Sequence, residues 1–147
     1  MILALFAATA VSSVNLPETA YGHIAMTEVE AAALARYESK RQVGNTEEIV
    51  RSYFDDIPVM IEIARCESTF RHELADGTIL QGRVDPADTG VMQINKRYHL
   101  GTASAMNLNL ENIYDNMAYA RHLYETQGTQ PWSASSDCWN RTLASAI

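Results

Sequence analysis

Residues 57–68, with the sequence IPVMIEIARCES, predict the central helix of this 147-residue chain. Apolar side chains fall on nearly every side of that helix, as expected of a helix buried in the middle of a domain. Proline is tolerated only in the first turn of a helix, so the order Asp55-Asp56 and then Pro58 predicts a helix start capped by the two aspartates. Glu67 then falls at the C-terminal end of the helix.

A carboxyl at that position has the properties of a proton donor. Low-dielectric surroundings and the negative end of the helix dipole both disfavour the carboxylate form. Cleavage of a glycosidic bond needs an acid that stays protonated near neutral pH, because the leaving oxygen is a poor leaving group. Glu67 is therefore a candidate catalytic acid, and an exposed glutamate at a helix end is the alternative interpretation.

The residues that follow indicate a short β segment and then more helices. Asp76-Gly77 is a hairpin-turn signal between two short runs, and residues 85–88, DPAD, are typical of a second turn. Helical spacing returns after residue 109, with Asn109 as the predicted cap and Gly128 as the predicted stop. The fold class predicted is mainly α (α+β), with one small β-hairpin.

The residues before the central helix predict a separate extension. Thr27-Glu28-Val29-Glu30 resembles a capping box, which predicts a short surface helix through Arg36, and residues 44–46 are predicted to break it. A further helix is predicted from Thr46 to about Phe54. We expect four regions: an export signal or apolar N-terminal segment (1–25), a helical extension (26–45), the domain proper (46–140) and a C-terminal tail (141–147).

Two observations favour export to the periplasm, the cell envelope or the extracellular space. Residues 1–11 are apolar but too short to span a bilayer, and Ala8-Thr9-Ala10 has the form of a signal cleavage site, although no Lys or Arg precedes it. Cys66 and Cys138 permit a single disulfide, which fits an oxidising compartment. The alternatives are a buried N-terminal helix and two free thiols in a cytosolic protein.

The composition is that of one globular domain, and the charge argues against nucleic acid as a partner. Acidic residues number 18 and basic residues 11, giving a formal net charge of -7, with no Lys/Arg cluster to follow a phosphate backbone. The stretch from His72 to Asp76 departs from the zinc-helix motif at its fifth residue, so no metal and no cofactor are expected.

Three short motifs in order resemble the lysozyme-like soluble lytic transglycosylases: CES at 66–68, GVMQI at 90–94 and ENI at 111–113. CES together with Gln127-Gly128, Trp132 and Cys138 also resembles the resuscitation-promoting factors, a related group with a disulfide-closed domain. The resemblance covers about residues 57–139. It implies a lysozyme-like fold with the hairpin beside an active-site cleft, and a monomeric enzyme that cuts peptidoglycan strands between N-acetylmuramic acid and N-acetylglucosamine.

The same resemblance implies roles for single residues. Glu67 is the general acid and base, Ser68 supports its carboxyl, and Gly90 lets the backbone approach the sugar. The implied residues of the cleft itself are Met92, Gln93, Asn112 and Trp132. Met92 could instead belong to the core, Asn112 could cap a helix, and Trp132 could pack under the disulfide.

The chain departs from the family where an Ala-Tyr-Asn segment normally places a tyrosine against the glutamate. Residues 130–133 read QPWS there, and Tyr98 or Tyr119 could replace the missing tyrosine. Candidates for a second carboxylate are Glu73, Asp76, Asp85 and Asp88, all in predicted turn segments. A lytic transglycosylase needs one acid only and is the function expected; a lysozyme-type hydrolase (muramidase) and a non-catalytic peptidoglycan-binding module are the alternatives.

Overall fold

The computed structural model describes residues 27–145, and this part of the chain is mainly helical around one small antiparallel sheet, which confirms the predicted class. The predicted export segment, residues 1–25, lies outside the described residues. No helix within residues 27–145 combines the length and apolar character needed to span a bilayer. The elements in chain order are α1 (Glu28–Tyr53), α2 (Pro58–Ser68), β1 (Asp88–Thr89), β2 (Ile94–Asn95), α3 (Lys96–Ala105), α4 (Ile113–Gln127), a 3₁₀ helix (Gln130–Ser135) and α5 (Ser136–Ser145).

Helix α1 is continuous, so the break predicted at residues 44–46 is wrong. A glycine inside a helix costs only about 1 kcal/mol relative to alanine, too little to end a helix that good helix formers flank. The predicted start is confirmed, because α1 begins directly after Thr27. Among the α1 side chains that the structure describes, Thr46 is the first that is buried, and Val50 follows it.

Helix α2 is confirmed, with Pro58 in its first turn, and it buries Met60, Ile63 and Ala64. The predicted cap by Asp55-Asp56 is wrong. Ile57 occupies the cap position without a side-chain hydrogen bond. Asp56 instead accepts two hydrogen bonds of 2.8 Å from the guanidinium of Arg121, which ties the α1–α2 turn to α4.

The predicted hairpin is present only as a turn with one isolated bridge, between Glu73 and Ile79. Both sides of the turn are exposed at residues 73–78, so no buried face stabilises longer strands. The two-stranded sheet lies further along the chain, where β1 pairs with β2 and Asp88 lies opposite Asn95. The turn predicted at residues 85–88 is confirmed by a 3.0 Å hydrogen bond from Asp88 N to Asp85 O.

The C-terminal half is helical as predicted, and Gly128 ends α4 with a φ of 64°. The cap predicted at Asn109 is wrong. Asn112 caps α4 through its side-chain oxygen, which accepts hydrogen bonds from Tyr114 N and Asp115 N at 3.0 and 3.2 Å. Residues 141–145, predicted to be a tail, continue α5.

The predicted disulfide between Cys66 and Cys138 is confirmed. It joins the last turn of α2 to the first turn of α5, and the two helices pack against each other. The crosslink closes a long loop, with a sequence separation of 72 residues, around most of the described fold.

Removal of this crosslink should destabilise the protein strongly. We expect the double variant Cys66→Ala/Cys138→Ala to lose about 4 kcal/mol of unfolding free energy, because the open chain gains loop entropy when it unfolds. Urea unfolding measures the difference, and the unaltered protein in reductant should match the double variant. Equal unfolding midpoints for the oxidised protein and the double variant would contradict the expectation.

Candidate active site

Glu67 lies in the last turn of α2 and is half-buried. The helix stops at Ser68, and the next two residues, Thr69 and Phe70, both have left-handed backbone conformations with φ of 53° and 55°. Such conformations are costly for residues other than glycine and persist only where packing enforces them. Phe70 is buried, with the guanidinium of Arg51 5.5 Å from its ring centroid. This sharp turn ends the helix immediately after the glutamate.

A cleft of about 340 Å³ contains the Glu67 side chain. Residues of α2, β1, β2, α3, α4 and the 3₁₀ helix contribute to its walls, so the site is assembled from most of the chain. The lining mixes carboxyl, amide, imidazole and phenol groups with apolar side chains. The lining residues are Glu67, Asp88, Gln93, Ile94, Asn95, Tyr98, His99, Leu123, Gln127, Pro131, Trp132 and Ala134.

A larger depression of about 600 Å³ lies along residues 74–81 and is less suited to acid chemistry. Glu111 supplies a carboxylate to its lining, but this carboxylate forms a 3.0 Å ion pair with Lys96. The Glu111 side chain is exposed and already paired, whereas Glu67 is half-buried in its own cleft. The smaller cleft is therefore the better candidate for catalysis.

The surroundings of Glu67 favour its protonated form. Burial raises the pKa of the Glu67 carboxyl, since a charged group is disfavoured away from water. A hydrogen bond from Ser135 opposes this shift, and the negative charge of Asp88 in the same cleft raises the pKa further. The net direction is upward from 4.5, as a general acid requires.

The hydrogen bond to Glu67 comes from a residue that the sequence reasoning missed. Ser135 Oγ lies 2.6 Å from Glu67 Oε1 and 3.2 Å from Trp132 O. Ser68 was expected to support the carboxyl, but its hydroxyl donates to Ala64 O in its own helix at 2.9 Å. The predicted disulfide was the feature of the sequence that could have placed Ser135 near Glu67. Cys138 lies three residues after Ser135, and Cys66, to which Cys138 is bonded, is next to Glu67.

Gly90, which was expected to let the backbone approach the sugar, is packed closely against two side chains of the protein. Its φ is 71°, and a Cβ there would lie 2.7 Å from Asn116 Nδ2 and 2.8 Å from the His72 ring. The missing side chain thus makes room for two buried polar groups. Internal packing thus requires glycine at position 90.

Asn116 and His72 fasten the turn at residues 89–92. Asn116 Oδ1 accepts from Met92 N at 3.0 Å, while its Nδ2 donates to Thr89 O at 3.1 Å. His72 Nδ1 accepts from Val91 N at 3.1 Å, so its Nε2 carries the proton that is donated to Glu111 O at 2.9 Å. Both imidazole nitrogens of His72 are committed to the backbone. The cleft wall is therefore positioned by buried hydrogen bonds from two distant parts of the chain.

The other predicted cleft residues divide into two groups. Gln93 lines the cleft, as expected, and its side-chain nitrogen donates to Gly90 O at 2.9 Å. Trp132 also lines it, although it is only 3 % exposed and donates from Nε1 to Met92 O at 3.0 Å. Met92 is fully buried and belongs to the core, and Asn112 is the cap of α4 rather than part of the cleft.

The candidate second carboxylates and the two candidate tyrosines differ in their position relative to the cleft. Of the four candidate second carboxylates, only Asp88 lines the cleft in the described part of the chain. Tyr98 lines the cleft, whereas Tyr119 is buried and its hydroxyl lies 3.1 Å from His99 Nδ1. The hydroxyl that contacts the Glu67 carboxyl is that of Ser135.

In searches of protein-family models, curated proteins and solved structures, the chain matches none.

Two substitutions should move the pKa of Glu67 in opposite directions. Ser135→Ala removes a hydrogen bond to the carboxylate and should raise the pKa, whereas Asp88→Asn removes a neighbouring negative charge and should lower it. Carbon-detected NMR titration of the Glu67 carboxyl measures both shifts. Asp76→Asn, in the exposed turn, is the matched control and should leave the titration unchanged. Shifts in the same direction would show that the electrostatics of the cleft differ from this description.

Proposed function

We propose that the protein cleaves the glycosidic bond between N-acetylmuramic acid and N-acetylglucosamine in peptidoglycan strands, with Glu67 as general acid and base. The observation that carries the proposal is a half-buried carboxyl with a raised pKa on the wall of a cleft that combines polar groups with apolar side chains. The ordered motifs around Glu67, Gly90 and Glu111 support peptidoglycan as the substrate. The disulfide is consistent with work outside the cytosol.

The mechanism we favour is that of a lytic transglycosylase. Glu67 donates its proton to the leaving oxygen as the bond from that oxygen to the anomeric carbon breaks. The 6-hydroxyl of the same N-acetylmuramic acid then attacks the anomeric carbon, forms an anhydro ring and returns a proton to Glu67. No water is consumed, and one carboxyl serves both steps. The bond from Ser135 holds Oε1, which leaves Oε2 to carry the proton toward the sugar.

Hydrolysis is the second candidate, and the position of Asp88 favours it. Asp88 lines the cleft with Glu67, and its Oδ1 accepts a 2.7 Å hydrogen bond from Asn95 Nδ2. A carboxylate oriented in this way could take a proton from an attacking water while Glu67 protonates the leaving oxygen. In that case the new end is a reducing sugar instead of an anhydro sugar.

Purified peptidoglycan tests the proposal directly. The unaltered protein should release fragments with anhydro ends, identified by mass spectrometry. Glu67→Gln should lower the rate at least about 100-fold, since it removes the acid. Glu73→Gln changes an exposed glutamate outside the cleft and should leave the rate unchanged.

The remaining outcomes separate the alternatives. Reducing ends, together with a large loss in Asp88→Asn, would identify a hydrolase. If the protein binds peptidoglycan but releases no fragments, it is a binding module and the proposed enzyme activity is wrong. Equal rates for the unaltered protein and Glu67→Gln would remove Glu67 from the mechanism.

A further inference from the structure

Two of the aromatic side chains that the structure describes are exposed. Tyr98 is 76 % exposed and Tyr114 is 55 % exposed. Tyr98 lines the cleft that contains Glu67, whereas Tyr114 lines a separate groove beside α1. An exposed ring contributes little hydrophobic stabilisation to the fold. Packing therefore does not explain why Tyr98 lies beside the cleft.

The backbone on both sides of Tyr98 is firmly anchored. Asn95 caps α3 and accepts a 3.0 Å hydrogen bond from Arg97 N. The side chains of the two residues before Tyr98 form ion pairs: Lys96 with Glu111 at 3.0 Å, and Arg97 with Asp85 at 2.9 Å.

The residue after Tyr98 is also held. His99 Nδ1 lies 3.1 Å from the hydroxyl of Tyr119, which is itself buried. The Tyr98 side chain, in contrast, has no hydrogen bond, ion pair or ring contact among the described residues. Its Cα is thus fixed while its ring faces solvent at the cleft. A ring placed in this way is preorganised for a ligand, because little further ordering of the backbone is needed on binding.

The groups beside this ring indicate the chemistry of the ligand. Polar side chains of Gln93, His99 and Gln127 line the same cleft and can exchange hydrogen bonds with hydroxyl and acetamido groups. A pyranose ring has an apolar face of C–H bonds and a polar edge of hydroxyls, so an aromatic ring flanked by amides complements both.

We propose that Tyr98 is a sugar-binding residue, whose ring stacks on the apolar face of one pyranose in a β-linked strand that contains N-acetylglucosamine. The stacked sugar occupies a subsite at the cleft rim, next to the bond that Glu67 acts on. The identity of the strand rests on the proposed function, but the stacking contact does not require that the bond be cleaved.

A rim contact of this kind is made equally in the ground state and in the transition state. Loss of the ring should therefore raise KM and leave kcat nearly unchanged. The expected change is about tenfold in affinity, which corresponds to about 1.4 kcal/mol.

Binding of a β-1,4-linked N-acetylglucosamine hexasaccharide to the Glu67→Gln protein is the test, and tryptophan fluorescence reports it because Trp132 lines the cleft. Adding Tyr98→Ala should raise Kd about tenfold. Tyr98→Phe keeps the aromatic ring and should leave Kd at the value of the Glu67→Gln protein. Tyr114→Ala, the matched control, removes an exposed ring outside the cleft and should leave Kd unchanged.

Several results would overturn the subsite: equal Kd values for Tyr98→Ala and Tyr114→Ala, a loss in Tyr98→Phe as large as in Tyr98→Ala, or no binding at all. Turnover of peptidoglycan by proteins that retain Glu67 separates the two proposals. If Tyr98→Ala weakens binding and no protein shows turnover, the proposed sugar subsite is supported and the proposed enzyme activity is wrong. If the proteins show turnover and Tyr98→Ala leaves KM unchanged, the proposed enzyme activity is supported and the proposed sugar subsite is wrong.

Discussion

The covalent bond between Cys66 and Cys138 sets the geometry of the cleft. Cys66 precedes Glu67, and Cys138 follows Ser135 by three residues, so the crosslink holds α2 and the start of α5 together beside the acid. The 2.6 Å hydrogen bond between Ser135 and Glu67 lies next to this crosslink. Because the 3₁₀ helix runs directly into α5, the disulfide also fixes the part of the cleft wall that contains Trp132.

The electrostatics of Glu67 are a balance between opposing effects. Burial and the nearby Asp88 charge raise the pKa of the carboxyl, while the hydrogen bond from Ser135 stabilises the carboxylate. The pKa of Glu67 is higher in the folded than in the unfolded protein. The free energy of unfolding therefore falls as pH rises through the folded-state pKa and Glu67 ionises. The buried hydrogen bonds of Asn116 and His72 hold the turn at residues 89–92 in place. A carboxyl with a raised pKa, held by buried hydrogen bonds around it, is the pattern expected of a catalytic group.

Local patterns in the sequence were sufficient for α2, for the position of Glu67 in its last turn and for the stop at Gly128, because each depends on neighbouring residues. The cap of α2 was mispredicted because Arg121, 65 residues away, binds Asp56. Ser135 was missed for the same reason: its partner is distant in sequence and no local motif marks it. Most of the cleft wall therefore depends on long-range hydrogen bonds, which spacing within one element does not encode.

The rate of peptidoglycan cleavage against pH tests the central claim, that Glu67 acts as the protonated acid. The alkaline limb of kcat/KM for the unaltered protein should fall at the pKa that NMR gives for the Glu67 carboxyl. Asp88→Asn should move the rate limb and the NMR titration together to lower pH. An alkaline limb that stays in place while the Glu67 titration moves would contradict the claim, because another group would then supply the proton.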